Sequence, residues 1–382
     1  MLKCSALVLE MDLYITKCVK QKYVFEDRQL FADFRWMINE AIRIGIKSRI
    51  TSKLALRNLV YEQFKNDYNT SFINMAVFKA HAILKNYRRM LKKKYDIKQP
   101  YVKKRFAIVD SCHIRLNGKL LSFSIKPRQF INILLNDHVT TKLSQPDIKI
   151  GNIIIRDSEI VIPYTIKAPE QESCGHIGID MNFENIATSD SENKVEVYDI
   201  SDITNYKMKI RERLSHFTRN DVRIKRRLTQ KYGKKQRDKE HNLLHNLANN
   251  IVSTKMTPVM EHLTYIRNQG RKGDYKGKRF RFRLNSWSRF KLQHIIDYKS
   301  RQNGTIPIYV NPKGTSSKCS ICGSKLVPEE NRKMHCFACA VISDRDVNAA
   351  RNILHRGLRF KPIASQGEGM KQSKDVDPIV MS

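Results

Sequence analysis

The sequence contains no apolar run approaching the ~18 residues that span a bilayer, and its first residues show no signal-peptide pattern. Acidic residues are also scarce: 37 Asp and Glu stand against 71 Lys and Arg, which leaves a formal net charge of +34. A folded chain this positive repels itself unless it binds a polyanion. We therefore expect a nucleic acid as partner, ahead of an anionic membrane or an acidic protein, and a cytoplasmic location.

The 382 residues are 41% hydrophobic, which is typical of a globular protein with two or three domains. Residues 7–19 show strand alternation, and residues 25–98 repeat apolar positions at helical spacing. Strand patterns then return, with hairpins predicted at Asn117-Gly118 and around Asp157-Ser158. The first half is therefore predicted to be a small β-barrel or sandwich, with a helical subdomain inserted after its first strand.

The second half changes character near Gly175, where short apolar strands begin to alternate with helical stretches. One strand ends at Asp180, another is predicted near Val259–Leu263, and a third at 306–310. Helices are predicted for 241–255, 286–301 and from Asp346. This order predicts an α/β domain. The segment after Ser365 is expected to be disordered.

Four of the eight cysteines form two CxxC pairs separated by 13 residues, namely Cys319, Cys322, Cys336 and Cys339. Two such turns supply the four thiolates of a tetrahedral Zn²⁺ site. Because sulfur fills every position, the single zinc is expected to be structural. Unmetallated buried cysteines or a redox pair are the alternatives. The other four cysteines share no spacing and are expected to fill apolar gaps.

Three carboxylates stand out by position. Asp180 and Glu261 end apolar strands, and Asp346 opens a helix directly after the cysteine cluster. A carboxylate at the end of a core strand is costly to bury without a cation. Phosphodiester hydrolysis uses hard divalent cations, such as two Mg²⁺ about 3.5–4 Å apart, and carboxylates are their ligands. Taken singly, Asp180 could cap a loop, Glu261 could pair with an arginine, and Asp346 could be a helix cap.

Basic residues are concentrated in two stretches, 207–239 and 267–283. The first is too basic for an ordinary solvated helix face, so we expect it to contact nucleic-acid phosphates. Its candidate contacts are Lys207, Arg211, Arg219, Arg223, Arg226, Arg227, Lys234 and Lys235. The second contains Arg279 and Arg281 among glycines and aromatic residues. It is predicted to be either a lid that orders on nucleic acid or a disordered basic loop.

Several stretches of the second half resemble TnpB proteins, the transposon-encoded relatives of type V CRISPR nucleases. Residues 178–190, GIDMNFENIATSD, resemble the family's first RuvC motif, and residues 260–263, MEHL, resemble its second. Residues 315–353 resemble its zinc ribbon and third motif, and residues 284–299 also fit. The resemblance runs from about 175 to 355, slightly under half the chain. The first half fits the family only by architecture.

The resemblance implies an RNase H-like fold with Asp180, Glu261 and Asp346 as catalytic triad and ligands of two Mg²⁺. Asp346 is preferred over Asp344 because the family's catalytic Asp directly precedes x-Asn-Ala-Ala. The implied activity is RNA-guided cleavage of DNA beside a short flanking motif. The implied partners are a guide RNA and double- and single-stranded DNA, with no membrane and a monomer favoured, near the nucleoid of a prokaryote. Arg345 could neutralise the scissile phosphate or form an ion pair.

The expected fold class is therefore multidomain, α+β and α/β. The expected domains are a β-barrel wedge (1–24 and 99–172), an inserted helical recognition domain (25–98), an RNase H-like RuvC domain (173–312 and 343–365), its inserted zinc ribbon (313–342), and a disordered tail (366–382).

Two positions depart from the family pattern, Asn182 and Ala340, where relatives usually carry Gly, and neither removes a ligand. Some relatives have lost triad carboxylates and act as guided DNA-binding regulators without nuclease activity. A strand-transfer transposase is the other alternative. The intact triad favours an active nuclease.

Overall fold

A computed structural model describes residues 13–169, 171–218, 220–262, 284 and 287–359. The chain divides after Ala168 into two compact units. Each unit mixes helices with sheet, as the sequence predicts. No helix within the described ranges is long and apolar enough to cross a membrane.

Over residues 13–168, the first unit shows a strand, then three helices, and then further strands with one short helix among them. Its elements are β1 (Tyr14–Lys22), α1 (Gln29–Lys47), α2 (Lys53–Phe64), α3 (Thr70–Lys92), β2 (Ala107–Val109), β3 (Ile114–Asn117), β4 (Leu120–Lys126), β5 (Gln129–Leu134), α4 (Asp137–Leu143), β6 (Lys149–Ile150), β7 (Ile153–Arg156) and β8 (Glu159–Lys167). The helical excursion after the first strand is thus confirmed.

The helix α1 shows why this excursion forms. Leu30, Phe34 and Ile38 recur at helical spacing and are all buried, so one face of α1 enters the core of the unit. The carboxylate of Asp27 accepts hydrogen bonds from the backbone N–H groups of Gln29 and Leu30 at 3.0 and 3.2 Å. This local contact fixes where α1 begins.

The strands of the first unit form two separate sheets, and the described strands do not close into the predicted barrel. One sheet has the order β1-β8-β7-β2 with β6 on β8, and the other has the order β3-β4-β5. Both predicted hairpins are present: Asn117 pairs with Leu120 across Gly118, and Arg156 pairs with Glu159. Within the described residues, no strand of one sheet pairs with a strand of the other, so the barrel is not closed.

Within its described residues, the second unit holds a mixed sheet, four helices and a small three-stranded sheet. Its elements are β9 (His176–Met181), β10 (Asn185–Asp190), β11 (Val195–Asp199), α5 (Ser201–Ser215), α6 (Val222–Ser253), β12 (Thr257–Glu261), α7 (Arg289–Gln302), β13 (Ile308–Val310), β14 (Val327–Pro328), β15 (Lys333–Cys336), β16 (Val341–Asp344) and α8 (Arg345–Leu358).

The mixed sheet has the strand order β11-β10-β9-β12-β13. The first three strands form an antiparallel meander, whereas β12 and β13 run parallel to β9. The helix α8 packs across this sheet. Gly178 permits the close approach, because a Cβ atom built there would lie 2.2 Å from the carbonyl oxygen of Ala350 in α8. The absence of a side chain at Gly178 therefore determines how closely α8 approaches β9.

The basic stretch 207–239 falls on α5 and on the first part of α6. The helix predicted at 241–255 is therefore not separate but forms the end of α6. α6 is continuous over 32 residues, from the basic stretch into an apolar stretch that enters the core of the unit. Leu244, Leu247 and Ile251 carry that buried face. The N-terminal part of α6 is thereby held out as a largely exposed basic helix.

Candidate functional site

The three carboxylates singled out in the sequence come together where β9 and β12 end. These strands are parallel neighbours, and Ile179 pairs with Met260 in their register. The next residues along the strands are Asp180 and Glu261, so their side chains leave the sheet next to each other. The helix α8, which packs on β9 and β10, brings Asp346 to the same place from its first turn.

Asp180 shows how crowded this acidic cluster is. Burial is the largest cause of the raised pKa of Asp180, about 7, and the charges of Glu261 and Asp346 add to it. The amide of Asn182, which donates to Oδ2 of Asp180 at 2.9 Å, acts in the opposite direction, as does the charge of Arg332. A bound cation would relieve this repulsion.

Glu261 is oriented by two polar neighbours. The hydroxyl group of Thr315 donates to its Oε1 at 2.5 Å, and the amide of Gln293 donates to its backbone carbonyl at 2.9 Å. Burial raises the pKa of Glu261, while the hydrogen bond from Thr315 and the charges of Arg356 and Arg289 counteract the rise. The carboxylate is thus fixed in direction, and burial outweighs the nearby positive charges in setting its pKa.

Asp346 is buried, with 2% of its surface exposed, and both of its carboxylate oxygens accept hydrogen bonds. Asn185 donates to Oδ2 at 2.9 Å, and the guanidinium group of Arg332 donates to Oδ1 at 2.5 Å. The cap of α8 is Asp344, whose Oδ1 accepts from the backbone N–H groups of Asp346 and Val347. The capping role that the sequence left open for Asp346 therefore belongs to Asp344.

The donor set of this acidic cluster suits a hard divalent cation, because two buried carboxylates and one half-buried carboxylate meet there, and two of the three have raised pKa values. In the part of the chain that the structure describes, only the four ribbon cysteines place three or more possible ligand atoms within 4.8 Å of one another. The carboxylates are more widely spaced.

The four cysteines are assembled as the sequence predicts. Their sulfur atoms lie within 4.8 Å of one another, and the Sγ atoms of Cys322 and Cys336 are 3.5 Å apart. The hydrogen bond with Ser324 lowers the pKa of Cys322 to about 6, whereas the hydrogen bond with Cys322 raises the pKa of Cys339 to about 12. Such opposed shifts mark sulfurs too close to ionise together without a metal. The cluster is therefore compatible with a structural zinc.

The turns after each CxxC pair explain the departure at Ala340. Gly323 follows the first pair with φ +77°, and Ala340 follows the second with φ +53°. Both lie in the left-handed region that a tight turn requires and that glycine occupies most easily. The alanine thus adopts the glycine conformation, and the cysteine geometry is retained.

One face of α8 holds the segment that leads into the ribbon. Asn348, Asn352 and Arg356 follow one another at four-residue spacing, so they lie on the same side of the helix. Asn348 accepts from the backbone N–H of Ser320 at 2.9 Å and donates to the carbonyl of Lys318 at 2.8 Å. Asn352 donates to the same carbonyl. Arg356 donates to the carbonyls of Asn311 and Lys313, which precede the ribbon. The helix that carries Asp346 therefore also fixes the ribbon.

The predicted phosphate contact at Lys207 is wrong. Lys207 is only 7% exposed, and its Nζ lies 3.1 Å from Oε1 of Glu240 and 3.0 Å from Oγ of Ser288. Burial lowers the pKa of Lys207. Glu240 is itself buried and needs a cation, which Lys207 and Lys291 supply. Lys207 therefore joins α5, α6 and α7 from the inside.

The other predicted phosphate contacts fall into three groups. Five lie exposed on α6: Arg223, Arg226, Arg227, Lys234 and Lys235. Arg211 is half-buried on α5, and Arg345 is exposed at the start of α8. Arg219, Arg279 and Arg281, with the whole of 267–283, lie outside the described residues, as does the segment 366–382.

Sequence reasoning missed the residues that hold the carboxylates. Three of them lie within the motifs at 178–190 and 315–353, namely Asn182, Asn185 and Thr315. Their closeness in sequence to Asp180 or to the first CxxC pair was the signal that could have identified them. Arg332 had no such signal. It lies between the CxxC pairs, outside every basic stretch, and only the fold of the ribbon brings it to Asp346.

Comparison with known proteins places these features in a family context. A family model described as "Cas12f1-like, TNB domain" matches residues 287–353, and one described as "Uncharacterized protein MJ0013 family" matches residues 30–124. The TnpB-like protein MJ0751 of Methanocaldococcus jannaschii is 32% identical over 260 residues, which cover 63% of this chain and 92% of that protein.

A shorter sequence match and a match of fold are also found. The CRISPR-associated endodeoxyribonuclease Cas12f1 of Sulfoacidibacillus thermotolerans is 38% identical over 98 residues, 25% of this chain and 20% of that protein. A cryo-EM structure of a Cas12f1-sgRNA-target DNA complex contains a chain of similar fold, with a TM-score of 0.54 at 16% identity. The match covers 85% of this chain and 81% of that one, and it concerns the fold alone.

Proposed function

Because the chain belongs to the TnpB family, we propose that it is an RNA-guided, Mg²⁺-dependent endonuclease that cleaves DNA beside a short flanking motif. The observation that carries this proposal is the meeting of Asp180, Glu261 and Asp346, from distant parts of the sequence, in one largely buried acidic cluster. The order β11-β10-β9-β12-β13, antiparallel on one side and parallel on the other, supports an RNase H-like (RuvC) core around it.

The proposed reaction is hydrolysis of a phosphodiester by two-metal catalysis. Asp180, Glu261 and Asp346 would hold the Mg²⁺ ions, and bound Mg²⁺ would supply activation of a water molecule and stabilisation of the leaving oxygen. Asp180 has a pKa of about 7 without metal, so it gives up a proton when it acts as a ligand. Asn182 and Thr315 keep the oxygens of Asp180 and Glu261 in fixed directions.

The zinc ribbon has a structural part in this proposal. Its cysteines would hold one Zn²⁺, with no coordination position left for substrate. Asn348 and Asn352 tie the ribbon to α8, so its folding and the position of Asp346 depend on each other. We assign the ribbon the task of fixing the third carboxylate.

The proposed partners are a guide RNA and double- and single-stranded DNA. The formal net charge of +34 and the exposed cations of α6 support binding to phosphates. In such a complex, base pairing between guide and target would supply sequence specificity, while Lys and Arg hold the backbone of the heteroduplex.

The decisive experiment starts from RNA that copurifies with the chain. That RNA is sequenced, resynthesised with a chosen guide and combined with the protein, Mg²⁺ and plasmids that carry the target beside a randomised flank. Guide-dependent double-strand breaks are expected only beside particular flanks. The triple variant Asp180→Asn, Glu261→Gln, Asp346→Asn serves as control, because it keeps the shape of each side chain and removes the charge.

Two other outcomes would each contradict the proposal. Guided binding by the wild-type chain without strand scission would indicate a DNA-binding regulator. Joined rather than hydrolysed DNA ends would indicate a strand-transfer transposase.

A further inference from the structure

Arg332 reaches into the acidic cluster from the ribbon. Its side chain is 53% exposed, whereas the side chain of Asp346 is 3% exposed, so the guanidinium group extends from solvent to a buried carboxylate. It donates to Oδ1 of Asp346 at 2.5 Å, and Asn185 donates to Oδ2. Both oxygens of Asp346 are therefore engaged, one by a neutral amide and one by a cation.

The backbone around Arg332 is shaped for this contact. Asn331 and Arg332 are consecutive residues with φ of 55° and 63°, in the left-handed region that non-glycine residues rarely occupy. The turn is closed by a hydrogen bond from the backbone N–H of Glu329 to the carbonyl of Lys333 at 2.8 Å. A non-glycine residue in this conformation has a strained backbone. Arg332 adopts it, and its side chain contacts Asp346.

The surroundings of Arg332 are those of a counter-ion. Besides its hydrogen bond to Asp346, the guanidinium group of Arg332 experiences the charges of Asp344 and Asp180. One guanidinium group thus partly neutralises several carboxylates of the cluster.

We propose that Arg332 competes with the divalent cation for Asp346, so that metal binds fully only when the ribbon turn releases this arginine. A carboxylate oxygen that accepts from a guanidinium group at hydrogen-bond distance leaves no room there for a cation about 2.1 Å away. The free chain therefore holds its metal site in a weakened state, and the turn Glu329–Lys333 controls it. This inference rests on the proposed function.

Metal titration of the free chain tests the competition without any cleavage assay. The probe is Mn²⁺, followed by electron paramagnetic resonance on the RNA-free, zinc-loaded full chain. Arg332→Asn removes the guanidinium group with a residue that tolerates the left-handed backbone, and Arg332→Gly is a second variant for the same purpose. Arg345→Gln is the matched control, because it removes one positive charge beside Asp346 in the sequence.

Loss of Arg332 is expected to tighten Mn²⁺ binding by about threefold or more, the size of a partly exposed ion pair, and Arg345→Gln by clearly less. The proposed competition would be overturned if Arg345→Gln gained as much Mn²⁺ affinity as the Arg332 variants, or if neither Arg332 variant gained affinity. Zinc content and thermal unfolding confirm that each variant folds. If Asp180→Asn and Asp346→Asn bind Mn²⁺ as well as wild type, there is no carboxylate metal site, and the proposed function fails together with the inference.

Discussion

The carboxylate of Asp344 accepts a hydrogen bond from the backbone N–H of Asp346 at 2.8 Å, so one acidic residue caps the helix that presents the other to the acidic cluster. The two residues are two positions apart and chemically alike, yet one is exposed and the other buried. Their roles are therefore separable by substitution.

Asp344→Ala is expected to lower the free energy of unfolding by about 1 kcal/mol, since it removes a helix cap, while guided DNA cleavage persists. Asp346→Asn is expected to abolish cleavage, leave guided DNA binding in place and cost little stability. Thermal unfolding, a binding assay and a plasmid cleavage assay on the same preparations distinguish the two. Loss of cleavage in Asp344→Ala at a temperature where it is folded would contradict this division of roles.

Asp180 should make the metal-free protein less stable as the pH rises. Its folded pKa of about 7 lies above the ordinary value of 3.8, so between these limits the folded state holds a proton that the unfolded state has lost. Stability from this group is present at low pH and is lost as the pH rises through about 7. Asp180→Asn removes the ionisable group and keeps an oxygen for Asn182.

Without added divalent cation, Asp180→Asn is expected to be more stable than wild type by about 1–4 kcal/mol at about pH 8, and by less at about pH 5. Denaturant unfolding at both pH values measures the difference. Added Mg²⁺ should stabilise wild type more than the variant. A variant with the same advantage at both pH values would show that the shifted ionisation of Asp180 is not its cause.

The contrast between Cys319 and Arg332 shows how far the sequence alone could go. The CxxC spacing predicted the cysteine cluster, because two residues between cysteines fix the local turn that points both sulfurs at one metal. The partner of Asp346 could not be found in this way. Arg332 contacts Asp346 only because of the turn between β14 and β15, and no local sequence pattern predicted that turn.

The predictions of a phosphate contact at Lys207 and of a closed barrel were wrong for a related reason. Counting charges along 207–239 predicts a basic surface, but it does not show which cation faces the buried carboxylate of Glu240. Both hairpins of the first unit were predicted from their turns, whereas closure of a barrel depends on pairing between distant edge strands. Properties set by neighbours in sequence were predictable, and those set by neighbours in space were not.

The ribbon should carry about one zinc per chain, and Cys336→Ser should lose it. The buried cluster of the ribbon contains little besides Cys319, Leu326, Met334 and Cys336, so the metal must supply much of its stability. Elemental analysis and limited proteolysis of the purified chain measure both effects. Cys174→Ser is the control: the sequence predicted that this thiol fills an apolar gap, but it is exposed and lies outside the cluster. Full zinc content in Cys336→Ser would contradict the four-cysteine site.

Gly178→Ala should displace the helix that carries Asp346. The new Cβ atom would lie 2.2 Å from the carbonyl oxygen of Ala350, so α8 must move or the strand must bend, at a cost of about 1–3 kcal/mol. Cleavage should fall more than guided binding does. Gly233→Ala is the control: only the tip of Arg237 lies within 4 Å, and alanine should stabilise this helix by about 0.5–1 kcal/mol. Equal stability changes in the two variants would contradict the close approach of α8.

Lys207 and the exposed cations of α6 should behave oppositely. Lys207→Met leaves the buried Glu240 with only Lys291, so it should cost about 2 kcal/mol or more and leave the salt dependence of RNA binding unchanged. The double variant Arg226→Gln, Arg227→Gln should stay within about 0.5 kcal/mol of wild type, because both side chains are exposed. It should weaken RNA binding and reduce the slope of log affinity against log salt by about two. Denaturant unfolding and filter binding over a salt series separate the effects. A reduced salt slope in Lys207→Met would restore that lysine as a phosphate contact and remove its assignment to the interior.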